Sequence, residues 1–415
     1  MRILRKHREA IIIAVAAVVL RGGYICFTPV PRLVADSLSY HSYAVSILSE
    51  GRFQDQDARA ARMPGYPAFV SLIYAIFGTS TRAVQAIQCV LGVMTCLLLY
   101  ACATQIAAPP WPFLTGMTAA LYCDLAEPSS WLMTECLYSF LLAAALAVLY
   151  RRSWTTSRRA WLGGSALGLN YLVRPEILPF AIAISGALSF MIQPFRRRDC
   201  LKALTPIVVL MCLWVGRNYA IFDRVIPVST VGSFNVYMGL RLSLRHQRLA
   251  LEQPYQPPEG LTELQRDESY RNAYRELVRR VPFINRLKAY AFNLLSVYYP
   301  FLPGYDFTYV FLIPFWLAGF WQACRRKELW PMAGLVIGLS GVYAVFAGPV
   351  SRYRFGFSPC LILLGCVGAK ALYDNIRQSM FVRVATLWLA ANMACWVWAP
   401  DLRLAALWLK AIIWK

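Results

Sequence analysis

ADSLSYHSYAVSILSEGRF, residues 35–53, lies directly behind the first long apolar run of the chain, and RMPGYPAF, residues 62–69, begins nine residues later. A carboxylate, Asp36, and an arginine, Arg62, therefore stand where the chain first leaves an apolar segment. Their meaning depends on the solvent around that segment. Of the 415 residues, 58% are hydrophobic and 14% aromatic, and the mean hydropathy is +0.47, above that of an average soluble domain. The apolar residues recur in runs of about 17 to 25, the length with which a helix crosses about 30 Å of hydrocarbon. One buried core does not produce that repetition, so the chain reads as an all-α polytopic membrane protein.

The runs fall at 9–28, 81–107, 112–126, 134–150, 160–175, 177–194, 203–222, 307–324, 329–348, 358–374 and 383–399, with 404–414 a short amphipathic tail. That gives about eleven crossings within one transmembrane domain, 1–415. MRILRKHREA before the first run resembles the start of a signal peptide, but no small-x-small cleavage site follows, so this run is expected to stay as the first span.

The formal charge of +21 arises from 42 Lys and Arg against 21 Asp and Glu. Fifteen of the cations sit in short clusters beside apolar runs: Arg2, Arg5, Lys6 and Arg8; Arg151, Arg152, Arg158 and Arg159; Arg196, Arg197, Arg198 and Lys202; Arg325, Arg326 and Lys327. Such clusters mark cytoplasmic loops. With the N-terminus inside a cell (inner) membrane, successive crossings place all of them on the cytoplasmic side. The same alternation puts residues 29–80, the turn 126–133 and the segment 217–306 outside. The last of these is rich in arginine, but long translocated loops escape the charge rule. No pattern of nucleic-acid recognition accompanies the charge. The twelve cysteines lie singly in or beside apolar runs and read as small core residues. The three histidines, His7, His41 and His246, are scattered and form no metal constellation.

From Asp36 the apolar positions Leu38, Val45 and Leu48 recur at helical spacing, which predicts an amphipathic helix on the membrane surface, ended by Gly51. Two prolines and a glycine after Arg62 predict a sharp re-entry toward the apolar phase at 68–78. TELQRDESYRNAYRELVRRV, residues 262–281, reads as a charged surface helix. Taken singly, the ionisable residues at the outward ends have plain structural readings: Asp36 and Glu135 as helix caps, Arg62 as an interfacial anchor, Arg174 and Glu176 as a local pair. Together, Asp36, Glu135, Arg62, Arg174, Arg217, Arg352 and Arg354 stand at one membrane face, where ionisable groups tend to mark function. Carboxylates among guanidinium groups suit displacement of an anionic leaving group: arginines hold a phosphate while a carboxylate takes a proton from the nucleophile.

These elements resemble the C-type membrane glycosyltransferases, in the branch of protein O-mannosyltransferases, lipid A aminoarabinose transferases and their bacterial relatives. The resemblance is carried by ADSLSYHSYAVSILSEGRF, RMPGYPAF, MTECLYSFLLAAAL, LVRPEILPF, RNYAIFDRVIPVSTVGSFNVYMG and SRYRFGFSPCLILL, in this order along most of the chain. It implies sugar transfer from a polyprenyl monophosphate donor to a glycan, lipid or protein acceptor on the extracytoplasmic side, with inversion. Asp36 would activate the acceptor, with Glu135 a second acid. Arg62, Arg352 and Arg354, with Arg217 and Asn218, would hold the donor phosphate. Tyr40, His41, Tyr66, Arg174 and Glu176 complete the candidate substrate pocket. The resemblance implies no certain cofactor; a divalent ion held between Asp36 and a phosphate stays an open alternative. Two departures stand out: Ser37 follows Asp36 where many O-mannosyltransferases have an Asp-Glu pair, and Met63 precedes Pro64 where relatives have a double proline. The chain ends soon after its last span, so acceptor recognition is expected to fall to the 217–306 loop. Two other readings share this composition: a transporter or flippase of a lipid-linked sugar, and a surface-polysaccharide polymerase or ligase using diphosphate donors.

Overall fold

A computed structural model of the chain describes residues 2–27, 33, 35–192, 194–247, 253–301, 305–346, 348 and 350–400; the 404–414 tail and the side chain of His246 lie outside the described residues. Among the described residues there are helices and no strand. In order they are α1 (Arg2–Phe27), α2 (Asp36–Glu50), α3 (Gly65–Phe77), α4 (Thr81–Ile106), α5 (Trp111–Leu121), α6 (Cys123–Ala126), α7 (Glu135–Leu149), α8 (Thr156–Val173), α9 (Leu178–Met191), α10 (Arg197–Phe222), α11 (Gly232–His246), α12 (Glu263–Arg280), α13 (Phe283–Val297), α14 (Phe307–Ala323), α15 (Trp330–Phe346), α16 (Ser358–Asn375) and α17 (Gln378–Val397).

Every apolar run of the sequence appears as a helix, but not every helix is a full span. Among the described residues, 6 helical segments are long and apolar enough to cross a membrane: Leu4–Phe27, Thr81–Ile106, Arg197–Phe222, Lys327–Phe346, Ser351–Asn375 and Gln378–Val397. Gly65–Phe77, Glu135–Leu149, Pro175–Met191 and Phe307–Ala323 are apolar and shorter. α5 has only 11 residues, and α8 carries Arg158, Arg159 and Asn170. The expected eleven full crossings therefore exceed what length and composition support. Helices enclosed by protein need neither the length nor the uniform apolarity that lipid contact demands.

α16 lies deepest. Ser358 to Gly368 are all buried, against α14 on one side and α5, α7 and α15 on others. α17 is its opposite: Asn392 is the one residue it buries, while Leu387 and Trp396 point outward. α1 likewise presents Val15 and Val19. In water such faces would aggregate; in a bilayer they meet acyl chains.

The α14–α16 contact depends on missing side chains. A methyl group built on Gly368 would overlap the Phe315 carbonyl oxygen, and one on Gly319 would overlap that of Leu364. Small residues let membrane helices approach closely. Gly368→Ala is therefore expected to lower stability by about 1–3 kcal/mol, read as a reduced thermal midpoint in detergent; an unchanged midpoint would mean that the helices part without cost.

Chain direction sorts the helix ends into two faces. Glu9 accepts from Tyr100 near the end of α4, and Gln105 accepts from the Arg152 backbone N–H after α7. The start of α1 and the ends of α4 and α7 thus share one face with the basic clusters. The start of α7, the end of α8, the start of α9 and the end of α15 share the other, and the candidate site is there.

Candidate active site

The acidic surface helix forms as the sequence suggests. α2 runs from Asp36 to Glu50 and is closed by Gly51 in the left-handed conformation, φ 64, where glycine carries no steric penalty. Ala35, not Asp36, holds the cap position, which leaves the Asp36 carboxylate for other partners. The re-entry after Arg62 becomes α3, and Gly65 allows its close approach: a Cβ there would lie 2.7 Å from the Leu172 carbonyl oxygen of α8. This contact brings Arg62 and Met63 beside the end of α8, where the chain turns through Arg174, Pro175 and Glu176 into α9.

The α10–α11 segment covers the site from outside. Thr230 donates its backbone N–H to the Ala60 carbonyl at 2.9 Å and its hydroxyl to Glu263. Glu263, in the first turn of α12, also accepts the backbone N–H groups of Arg59 (2.6 Å) and Ala60 (2.9 Å). α12 itself is the charged surface helix read from the sequence, capped by Thr262 and Gln265 and braced by Arg271–Asp267 and Arg280–Glu276 pairs four residues apart.

These elements enclose a cavity of about 400 Å³ lined by Asp36, Tyr40, Arg62, Glu135, Arg174, Glu176 and Arg352, and on its apolar side by Met133, Val228, Val342 and Phe346. Three guanidinium groups alternate with three carboxylates. Arg62 Nη2 donates to Asp36 Oδ1 at 2.7 Å. Arg352 bridges Asp36 (3.5 Å) and Glu135 (3.2 Å). Arg174 Nε donates to Glu176 at 2.7 Å, with its Nη1 3.9 Å from Glu135. The formal charges of this ring cancel. Its hydrogen bonding is incomplete: Glu135 Oε2, Arg174 Nη1 and Arg352 Nε are buried with no hydrogen-bond partner among the described residues. Buried polar atoms without partners are costly, and here all three belong to the cavity.

The two acids differ in access. The Asp36 side chain is 37% exposed and that of Glu135 only 2%. Asp36 is therefore open to the cavity, while Glu135 stays behind the arginines. Arg62 lies over the Tyr40 ring at 5.3 Å. Burial works against the Arg62 charge, but Tyr40 and Asp36 outweigh it and hold its pKa above the ordinary value. Burial, against the pull of Arg62, pushes the Tyr40 phenol up to about 12, so it remains a hydrogen-bond donor at neutral pH. Among the described residues no three His, Cys, Asp or Glu side chains gather as metal ligands. Each cavity carboxylate faces a guanidinium group, and a divalent ion on Asp36 would have to displace Arg62 or Arg352.

Five residues of the expected site do not line the cavity. Tyr66 is buried and donates to Gln88 at 3.0 Å. The His41 ring pairs with the Tyr74 hydroxyl at 2.9 Å. Arg217 donates to the carbonyls of Arg59 (2.6 Å) and Phe53 (3.1 Å) and to Asn218 (2.8 Å), and Asn218 donates to the Ile226 carbonyl at 2.9 Å; both brace the outer loops. Arg354 is 2% exposed and forks onto Asp124 at 2.7 and 3.0 Å, with Asp306 2.8 Å away. The sequence reading passed over Asp124; a lone acid inside the apolar run LYCDLA is the signal that a buried cation must meet it. It also passed over Tyr343 and Tyr353, which stack at 4.8 Å in the cavity wall, Tyr343 donating to Glu176 at 3.2 Å.

Two carboxylates on one arginine leave a surplus negative charge. Burial first, and Asp124 next, push the Asp306 carboxyl from its ordinary 3.8 up to about 7. The folded chain therefore holds this proton more tightly than the unfolded chain does, and the stability it contributes is full below pH 3.8 and is lost as pH rises to about 7. Asp306→Asn, which cannot ionise, is expected to flatten the dependence of the thermal midpoint across that window; a slope equal to that of the unsubstituted protein would remove Asp306 from the account.

Residues 61–216 match the family described as dolichyl-phosphate-mannose-protein mannosyltransferase. Among solved structures, the chain is similar to the apo oligosaccharyltransferase of Archaeoglobus fulgidus, with a TM-score of 0.53 and 14% identity over 99% of this chain and 55% of that one. The same enzyme in complex with Zn and sulfate gives 0.50 and 13%, over 92% and 51%. ArnT from Cupriavidus metallidurans, bound to undecaprenyl phosphate, aligns more loosely, with 0.42 and 12% over 88% and 79%. The chain spans about half the length of the archaeal oligosaccharyltransferase. A comparison with curated proteins gave no match. The fold is thus that of the C-type membrane glycosyltransferases, and the resemblance to their mannosyltransferase branch, read from short stretches of sequence, is borne out over residues 61–216.

Proposed function

We propose that the chain is a glycosyltransferase that moves a sugar from a polyprenyl monophosphate to an acceptor, with inversion, at the extracytoplasmic face of a cell membrane. The observation that carries this reading is the cavity in which Asp36 and Glu135 alternate with Arg62, Arg352 and Arg174 at one end of the helix bundle. The acceptor oxygen attacks the anomeric carbon; the new C–O bond forms as the bond from carbon to phosphate oxygen breaks. The acceptor proton passes to Asp36, and the electron pair of the broken bond stays on the phosphate. Arg62 and Arg352, the two cations already on Asp36, take the phosphate that gains charge as Asp36 loses its own. The total charge in the cavity is unchanged through the step, which a partly dry site favours. Carriage of the sugar on a lipid phosphate is supported by the match to the mannosyltransferase family over residues 61–216.

The basic clusters on the opposite face support this sidedness, with that face and the N-terminus in the cytoplasm of an inner membrane. The 217–306 segment, whose Val231, Gly232 and Asn235 reach the cavity, is the element that selects a glycan, lipid or protein acceptor. Beneath the cavity, Tyr138, Leu142 and Leu146 of α7 are closed in the core, which favours transfer within the cavity over passage of the sugar across the bundle.

The test supplies the purified full chain, in proteoliposomes, with a radiolabelled polyprenyl monophosphate sugar and acceptors extracted from cell envelopes. Label is expected on an acceptor. Label that only changes leaflet would establish the flippase reading, and transfer from a polyprenyl diphosphate alone would establish the polymerase or ligase reading.

A further inference from the structure

The face opposite the cavity carries a second concavity. It is an open groove of about 850 Å³ between the α7–α8 turn, the end of α9 and the segment before α15, lined by Arg152, Arg159, Arg326 and Lys327 and by one carboxylate, Glu328. Glu328 is shared by Arg326 and Arg152, the latter at 3.7 Å. Arg159 and Lys327 have no carboxylate within 4 Å among the described residues. The Arg159 case is unusual: it is 1% exposed, yet among the described residues its guanidinium donates to the Leu149 carbonyl (Nε at 2.8 Å) and lies over the Phe195 ring at 4.4 Å, with Asp199 acting on it from beyond ion-pair distance. A buried cation with no carboxylate in contact is costly, and an anion in the groove would supply a charge in contact. Lys327 is set over the Phe190 ring at 3.9 Å.

The aromatic rim of the groove identifies the kind of anion. Phe190, which lines the groove, packs edge-on against Trp330 beside it at 5.6 Å, and both remain outwardly exposed, 52% and 38%. An exposed aromatic pair next to a cationic cluster, at the end of apolar helices, is suited to the boundary between headgroups and acyl chains. A soluble phosphate has no use for that apolar wall. We propose that this groove holds the phosphate headgroup of an anionic membrane phospholipid, its acyl chains lying along Phe190 and Trp330. The site stands apart from the sugar-transfer cavity and does not rest on the function proposed for it.

The experiment is native mass spectrometry of the full chain released from detergent, titrated with phosphatidylglycerol, with phosphatidylcholine and with glycerol 3-phosphate. Phosphatidylglycerol is expected to be retained in preference to the other two. Arg326→Gln with Lys327→Gln is expected to weaken that binding about thirtyfold, and Lys327→Gln alone, at an exposed position, about fivefold. Arg197→Gln with Arg198→Gln, on the same face but outside the groove, should leave it unchanged. The proposal is overturned if the groove variants bind phosphatidylglycerol as the unsubstituted protein does, if the Arg197 and Arg198 variant loses as much, or if glycerol 3-phosphate binds as tightly as the lipid.

Discussion

Asp36→Asn is expected to lower the rate of sugar transfer by about 10²- to 10⁴-fold, the usual contribution of a general base, with little change in donor affinity. The substitution keeps the shape and a hydrogen-bonding oxygen for Arg62 but cannot accept the proton. Because Asp36 is more exposed than Glu135, Glu135→Gln should act differently, raising the donor KM by loosening Arg352 and Arg174. Single-turnover transfer, which separates chemistry from binding, checks both. Full activity in the Asp36 variant would assign proton removal to another group.

Arg354→Leu is expected to destabilise the fold by about 3–5 kcal/mol, the penalty for stripping a buried charge of its partner. Asp124 and Asp306 would both be left behind, and the guanidinium would no longer lie 3.7 Å over the Tyr309 ring. Adding Asp124→Asn and Asp306→Asn should recover much of the loss, since removing a whole buried charge cluster costs far less than halving it. Arg352→Leu is the contrast: two residues away and one third exposed, it should fold normally and bind donor weakly. Thermal unfolding in detergent and donor titration distinguish the two roles. A stable Arg354 variant that had lost donor affinity would return Arg354 to the phosphate site.

The sequence makes the helices, the surface helix from Asp36 to Gly51 and the sorting of charge between faces legible, because each is written in local periodicity and composition. It also brings Asp36, Arg62, Glu135, Arg174 and Arg352 to one membrane face. What it cannot separate is depth and direction within that face. Arg352 and Arg354 stand two residues apart in SRYR, and a 3-10 turn over Ser351–Phe357 sends one into the cavity and the other to Asp124. His41 and Tyr66 lie on the right elements and turn away from the cavity. The stacked Tyr343 and Tyr353 meet from two elements, a pairing that no local pattern records.

The ring of three arginines and three carboxylates has an effect on association as well as on chemistry. A cavity whose charges cancel projects little field beyond its rim, so it does not draw anions from a distance. For the lipid-linked donor proposed above, arrival would be governed by lateral diffusion in the bilayer and should be nearly indifferent to ionic strength. The basic groove on the other face, with its uncompensated cations, should be sharply sensitive to it.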